Sequence, residues 1–192
     1  MVVSRSWNLV VIGYSVLAMA MLVFITINGI SDTAVGTIGT AGLLGVGLVL
    51  PVAGMVPLAR RIGPYKRRTR TGLVLQSVCF AGLLGGLLVS FFASSLYGHE
   101  LSAAFIALAG LSGLVGAILI SKENGARQLV VGAALIAIGA ALIPASNIAS
   151  QMYWVLDMEK NVIQDIGATV AACGCVVAAY SCFVIRKPSV AR

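Results

Sequence analysis

Charged residues are scarce in this chain of 192 residues, of which only 10% are Asp, Glu, Lys or Arg. A soluble globular domain carries about a quarter charged residues, because its surface faces water. With so few charges, most of the surface must instead face lipid. We therefore expect a single membrane-embedded domain over residues 1–192, with no separate soluble domain.

Residues that bind metals or carry redox chemistry are also few. The four cysteines lie inside apolar runs: Cys79, Cys173, Cys175 and Cys182. Thiols in such a setting behave as small apolar groups, and the C-x-C of Cys173 and Cys175 lacks the C-x-x-C spacing of redox motifs. The one histidine is His99. Together with Glu100 it could supply at most two ligands to a metal ion at the surface. The sequence thus predicts no disulfide, no metal site and no cofactor.

Long apolar runs are what the sequence does contain, with 59% hydrophobic residues and a mean hydropathy of +1.03. A helix needs ~20 apolar residues to cross the hydrocarbon layer, and only helices satisfy the backbone of such runs there. We predict an all-α, polytopic membrane protein with six transmembrane helices in three short hairpins. The predicted spans are approximately 9–30, 34–59, 72–97, 101–121, 128–146 and 165–185. We expect the fifth span to end or bend near Pro144, and 147–164 to form an outer loop with a short surface helix.

The distribution of charge predicts the orientation. If the N-terminus is cytoplasmic, 12 of the 13 basic residues fall in inside segments, and five of the six acidic residues fall outside. This is the asymmetry of the positive-inside rule for short loops. We therefore predict a multi-pass protein of the plasma (inner) membrane with both termini cytoplasmic.

The densest basic segment joins the second and third spans. It contains six basic residues: Arg60, Arg61, Lys66, Arg67, Arg68 and Arg70. Fixing the topology is a sufficient role for this loop. A sharper alternative is that it binds anionic lipid or an acidic cytoplasmic partner. Nucleic acid is not an expected partner, because the basic residues lie between apolar runs and not along one helix face.

Glycine recurs every third residue on two spans. The second span contains Gly36, Gly39, Gly42 and Gly45, and the fourth contains Gly110, Gly113 and Gly116. This spacing places small residues on one face, where another helix backbone can approach closely. Two interpretations stay open, namely tight packing within the bundle and an interface with a partner subunit or a second copy.

One short segment, Gly110-Leu111-Ser112-Gly113, resembles the G-x-S-G nucleophile motif of rhomboid intramembrane proteases. That resemblance implies a serine nucleophile, which needs a base to take its proton. Rhomboids supply a histidine from the sixth span, and the sixth span here has Asp165 and no histidine. We therefore reject protease activity. The three-hairpin outline also resembles small acid-resistance membrane proteins and the substrate-binding subunits of energy-coupling-factor transporters, but architecture does not carry function.

The function that these patterns favour is association without catalysis. No ionisable residue lies at mid-depth in a span, which argues against proton-coupled transport. We expect an accessory or structural subunit, surrounded by lipid, that packs against other membrane subunits or against itself. The alternative is a small transporter or solute-binding component that holds a neutral or apolar molecule near Pro51 and Pro144. We do not expect an enzyme.

Overall fold

The computed structural model describes residues 2–28, 34–62, 66–92, 96–152 and 156–186. Almost all of these residues are helical. The helices are α1 (Val2–Asn28), α2 (Ala34–Arg61), α3 (Arg67–Phe92), α4 (Leu96–Asn124), α5 (Arg127–Gln151) and α6 (Asp157–Arg186).

All six helices are long and apolar enough to cross a membrane, which confirms the predicted all-α, six-span fold. Large apolar side chains are exposed on the outside of the bundle, including Leu108, Leu111 and Met19 at 60% or more. Helices that are apolar on all sides are stable only where lipid or protein covers every face. The protein is therefore a multi-pass membrane protein.

The helix ends differ from the ends of the spans that the sequence predicts. The third helix ends at Phe92, and residues 96–97 already belong to α4. Pro144 does not end the fifth helix, since α5 continues to Gln151. As a result, most of the predicted outer loop 147–164 is divided between the end of α5 and the start of α6. Residues 153–155 of that loop lie outside the described residues.

The helices form a ring in chain order. Each packs against the next in the chain, and α1 also packs against α6, which closes the ring. The closest pairs are α1 with α2, α3 with α4, and α5 with α6, in agreement with the predicted three hairpins. The side chains that point inward from all six helices therefore meet around one central axis.

The two ends of the ring differ in charge. At one end α1, α3 and α5 begin and α2, α4 and α6 end, as the hydrogen bond from Arg186 to Asn8 illustrates. This basic end contains the dense basic segment, and we call the opposite end the far end. Which end faces the cytoplasm is not determined by the packing, so the N-in and C-in orientation stays a prediction.

An acidic side chain stabilises the start of α3 at the basic end. Arg67, Arg68 and Arg70 place positive charge at a helix N-terminus, where the macrodipole disfavours it. The Glu123 carboxylate of α4 accepts hydrogen bonds from the Thr69 amide at 2.7 Å and from the Thr69 hydroxyl. It thus supplies negative charge at the helix N-terminus and joins α3 to α4.

Candidate functional site

A cavity of about 260 Å³ occupies the centre of the ring in the half nearer the far end. We call it the ring cavity. Every helix contributes to its wall, for example through Leu17, Leu48, Leu87, Ile106, Ile143 and Gln164. Buried side chains fill the axis of the ring in the basic half, whereas the axis is unfilled here.

The lining of the ring cavity is almost entirely apolar. Leucine and isoleucine dominate, and no described residue that lines it carries a charge. Pro144 forms part of the wall, whereas Pro51 does not. Pro51 is buried elsewhere, with its ring against Gly13 of α1, where a Cβ atom would overlap it.

Two amide side chains form the polar part of the lining. Gln164 Nε2 donates a hydrogen bond of 2.9 Å to Asn147 Oδ1, which links α6 to α5 near the far end. A carboxamide offers both donors and acceptors, so this bond leaves a donor on Asn147 and an acceptor on Gln164 for further use. The ring cavity thus combines an apolar body with one neutral hydrogen-bonding edge.

A sealed layer of side chains forms the floor of the ring cavity. Tyr14 and Phe80 pack edge to face with ring centroids 5.3 Å apart. Tyr14 donates a hydrogen bond of 3.3 Å to Gln76 Oε1, and Gln76 Nε2 donates one of 2.7 Å to the Gly113 carbonyl. Only about 10 Å³ of free space remains among these side chains. That is about one water molecule. The ring cavity is therefore closed toward the basic end.

The glycines of the fourth span pack inside the bundle. A Cβ atom on Gly113 would lie 2.6 Å from the sulfur of Cys79, and one on Gly116 would lie 2.7 Å from the carbonyl oxygen of Gly72. A Cβ atom on Gly110 would lie 3.0 Å from the Cβ atom of Ala137 on α5. These three positions serve the contacts of α4 with α3 and α5.

The glycines of the second span have the opposite environment. A Cβ atom on Gly39, Gly42 or Gly45 would meet no atom within 4 Å. This face of α2 therefore has no neighbour within the described part of the chain. The surroundings of Gly36 lie outside the described residues.

Four glycines that the sequence did not single out form close contacts between α5 and α6. Gly132 and Gly139 of α5 pair with Gly174 and Gly167 of α6, so that backbone meets backbone. A Cβ atom on Gly132 would lie 2.8 Å from the Gly174 carbonyl oxygen, and the reciprocal distance is 2.7 Å. The signal was a seven-residue spacing on both helices, which places two glycines on one face two turns apart.

Ser112 and His99, the residues considered for catalysis and for metal binding, both lie on α4. The Ser112 hydroxyl donates to the Ala109 carbonyl of its own helix at 2.9 Å. His99 lies in the first turn of α4. Among the described residues, no three His, Cys, Asp or Glu side chains lie close enough together to hold a metal ion.

The basic segment lies at the basic end. All six basic residues of the segment are exposed: Arg60, Arg61, Lys66, Arg67, Arg68 and Arg70. Arg60 and Arg70 line a cleft on the bundle surface. Their role in binding lipid or a partner stays a prediction.

Comparisons with known proteins give no match. No protein-family description, no curated protein and no solved structure is significantly similar to this chain.

Proposed function

We propose that this protein binds a small, neutral and mostly apolar molecule in the ring cavity. The observation that carries the proposal is the cavity itself, which is central, apolar and lined by all six helices. Protein interiors are normally close-packed, with few voids larger than a water molecule. A retained space of about 260 Å³ therefore favours a site over a packing defect.

The lining restricts the chemistry of the ligand. A charged ligand would be buried without a counter-charge, which is strongly unfavourable. An apolar guest restores the dispersion contacts that the cavity walls lack, and apolar cavities stay dry until such a guest enters. Asn147 and Gln164 can orient one hydroxyl, carbonyl or amide group of the ligand at the far end of the site.

The sealed floor supports binding over open permeation. A ligand can approach from the far end or between the helices on that side, but the layer of Tyr14, Gln76 and Phe80 blocks passage toward the basic end. Transport would require this layer to rearrange. We therefore propose that the protein binds a solute. Transport of that solute would need a further step in which this layer opens.

A pair of neighbouring alanines on α5 provides the test. Ala140 lines the ring cavity, whereas Ala141 is exposed on the outside of the bundle. The wild type, Ala140→Phe and Ala141→Phe would be purified identically, and small molecules extracted from each would be identified by mass spectrometry. We expect a compound that is enriched in the wild type and in Ala141→Phe and is lost from Ala140→Phe. If no compound is enriched relative to an unrelated membrane protein, or if Ala140→Phe retains it, the proposal fails.

The second candidate function is association through α2. It is supported by the unoccupied face at Gly39, Gly42 and Gly45, since small residues allow close helix contact in lipid. A Gly42→Leu variant should reduce self-association or the recovery of co-purifying subunits in native mass spectrometry. Ala104→Leu, which places the same leucine side chain at an exposed position of α4, is the control. Equal assembly of both variants would contradict the association proposal.

A further inference from the structure

A second space lies on the outside of the bundle, between α2 and α3 at the basic end. This α2/α3 cleft has a volume of about 400 Å³ and is lined mainly by valine and alanine side chains, including Val52, Val56, Val74 and Val78. It forms because α2 and α3 pack less closely than any other neighbouring pair in the ring. The apolar wall on α3, from Val74 to Ala81, extends about 10 Å along the helix at 1.5 Å per residue.

Two arginines lie at the end of the cleft. Arg60 belongs to the last turn of α2, and Arg70 belongs to the first turns of α3. Both are exposed, and neither is paired with a carboxylate among the described residues. Glu123, the acidic residue at this end, is bound to Thr69 instead. The two guanidinium groups are therefore available to an external anion.

The combination of an apolar cleft and two unpaired arginines selects an amphipathic anion. Guanidinium groups bind phosphate oxygens through paired hydrogen bonds. A soluble phosphate would use only the arginines, and an acidic protein segment would place polar backbone beside the apolar wall. A phospholipid matches both parts, because its headgroup lies at the membrane boundary and its chain runs along the helices.

We propose that the α2/α3 cleft binds one anionic phospholipid, with its phosphate at Arg60 and Arg70 and an acyl chain along the valine wall. This site is distinct from the ring cavity, which is lined by uncharged residues and lies in the other half of the bundle. It also distinguishes these two arginines from the other four basic residues of the segment.

The test is retention of lipid by the full-length protein in native mass spectrometry. The protein would be purified from nanodiscs that contain equal amounts of phosphatidylglycerol and phosphatidylcholine. We expect the wild type to retain phosphatidylglycerol in preference to phosphatidylcholine. Each basic residue near an anionic surface strengthens association about fivefold, so the double variant Arg60→Gln/Arg70→Gln should weaken retention about 25-fold.

The matched control is Arg67→Gln/Arg68→Gln, which removes the same charge from the same segment but from outside the cleft. It should retain phosphatidylglycerol nearly as the wild type does. Equal loss in both double variants would show a general effect of charge and overturn the proposal, as would equal retention of the two lipids by the wild type. A short-chain phosphatidylglycerol that binds as well as the long-chain form would overturn the role of the valine wall.

Discussion

Gly174 of α6 is packed so closely against α5 that a single added methyl group should destabilise the protein. A Cβ atom at this position would lie 2.7 Å from the Gly132 carbonyl oxygen and 2.7 Å from the Ile136 amide nitrogen. Ordinary contact begins near 3.4 Å, so the two backbones would have to separate by about 0.7 Å. These two nearest neighbours are backbone atoms, which cannot move aside as a flexible side chain can.

The magnitude follows from two opposing terms. Replacing glycine by alanine inside a helix is intrinsically favourable by up to ~1 kcal/mol. Overpacking of a close-packed contact typically costs ~1–3 kcal/mol. Gly45→Ala, where a Cβ atom meets no neighbour, should show only the favourable term. Because the favourable term is common to both variants, the difference is the cost of overpacking, and we expect Gly174→Ala to unfold more readily than Gly45→Ala by ~1–3 kcal/mol.

Unfolding can be followed by the labelling of the protein's cysteines. Cys79, Cys175 and Cys182 are buried, whereas Cys173 is exposed and would be replaced by alanine in all variants to remove the background. A thiol-reactive fluorophore then reports the exposure of the buried thiols as the detergent-solubilised protein is heated. If Gly174→Ala is as stable as Gly45→Ala, then α5 and α6 are not in backbone contact, and the packing argument for this hairpin is refuted.

Three further predictions concern other parts of the bundle. Gln76→Leu should lower stability by ~1–2 kcal/mol in the same thiol assay, because it removes two interhelical hydrogen bonds and leaves the Tyr14 hydroxyl without its acceptor; an unchanged midpoint would contradict this. Glu123→Gln should lower the unfolding midpoint more than Glu100→Gln, since only Glu123 caps the start of another helix; equal midpoints would show that the cap contributes nothing. Reporter fusions at both termini should be cytoplasmic and an insertion at 153–155 external, and the reverse result would overturn the orientation.

The sequence by itself determined the class of the protein and the number of its helices. Each apolar run is a local property of the chain, and in hydrocarbon a run of that length must be helical. The positions of the helix ends were less well determined. A helix can continue past the apolar run into polar segments, as α6 does from Asp157, and α5 can pass through Pro144 where neighbouring helices support it.

The tertiary structure decided what each helix face contacts. Gly42 and Gly113 have the same local spacing, yet only Gly113 packs against a neighbouring helix. The ring cavity is likewise invisible in the sequence, because Leu17, Ile106 and Gln164 come together only when the ring closes. Periodicity specifies which residues share a face of one helix. The presence of a neighbour, a lipid or an empty space against that face depends on how all six helices are arranged.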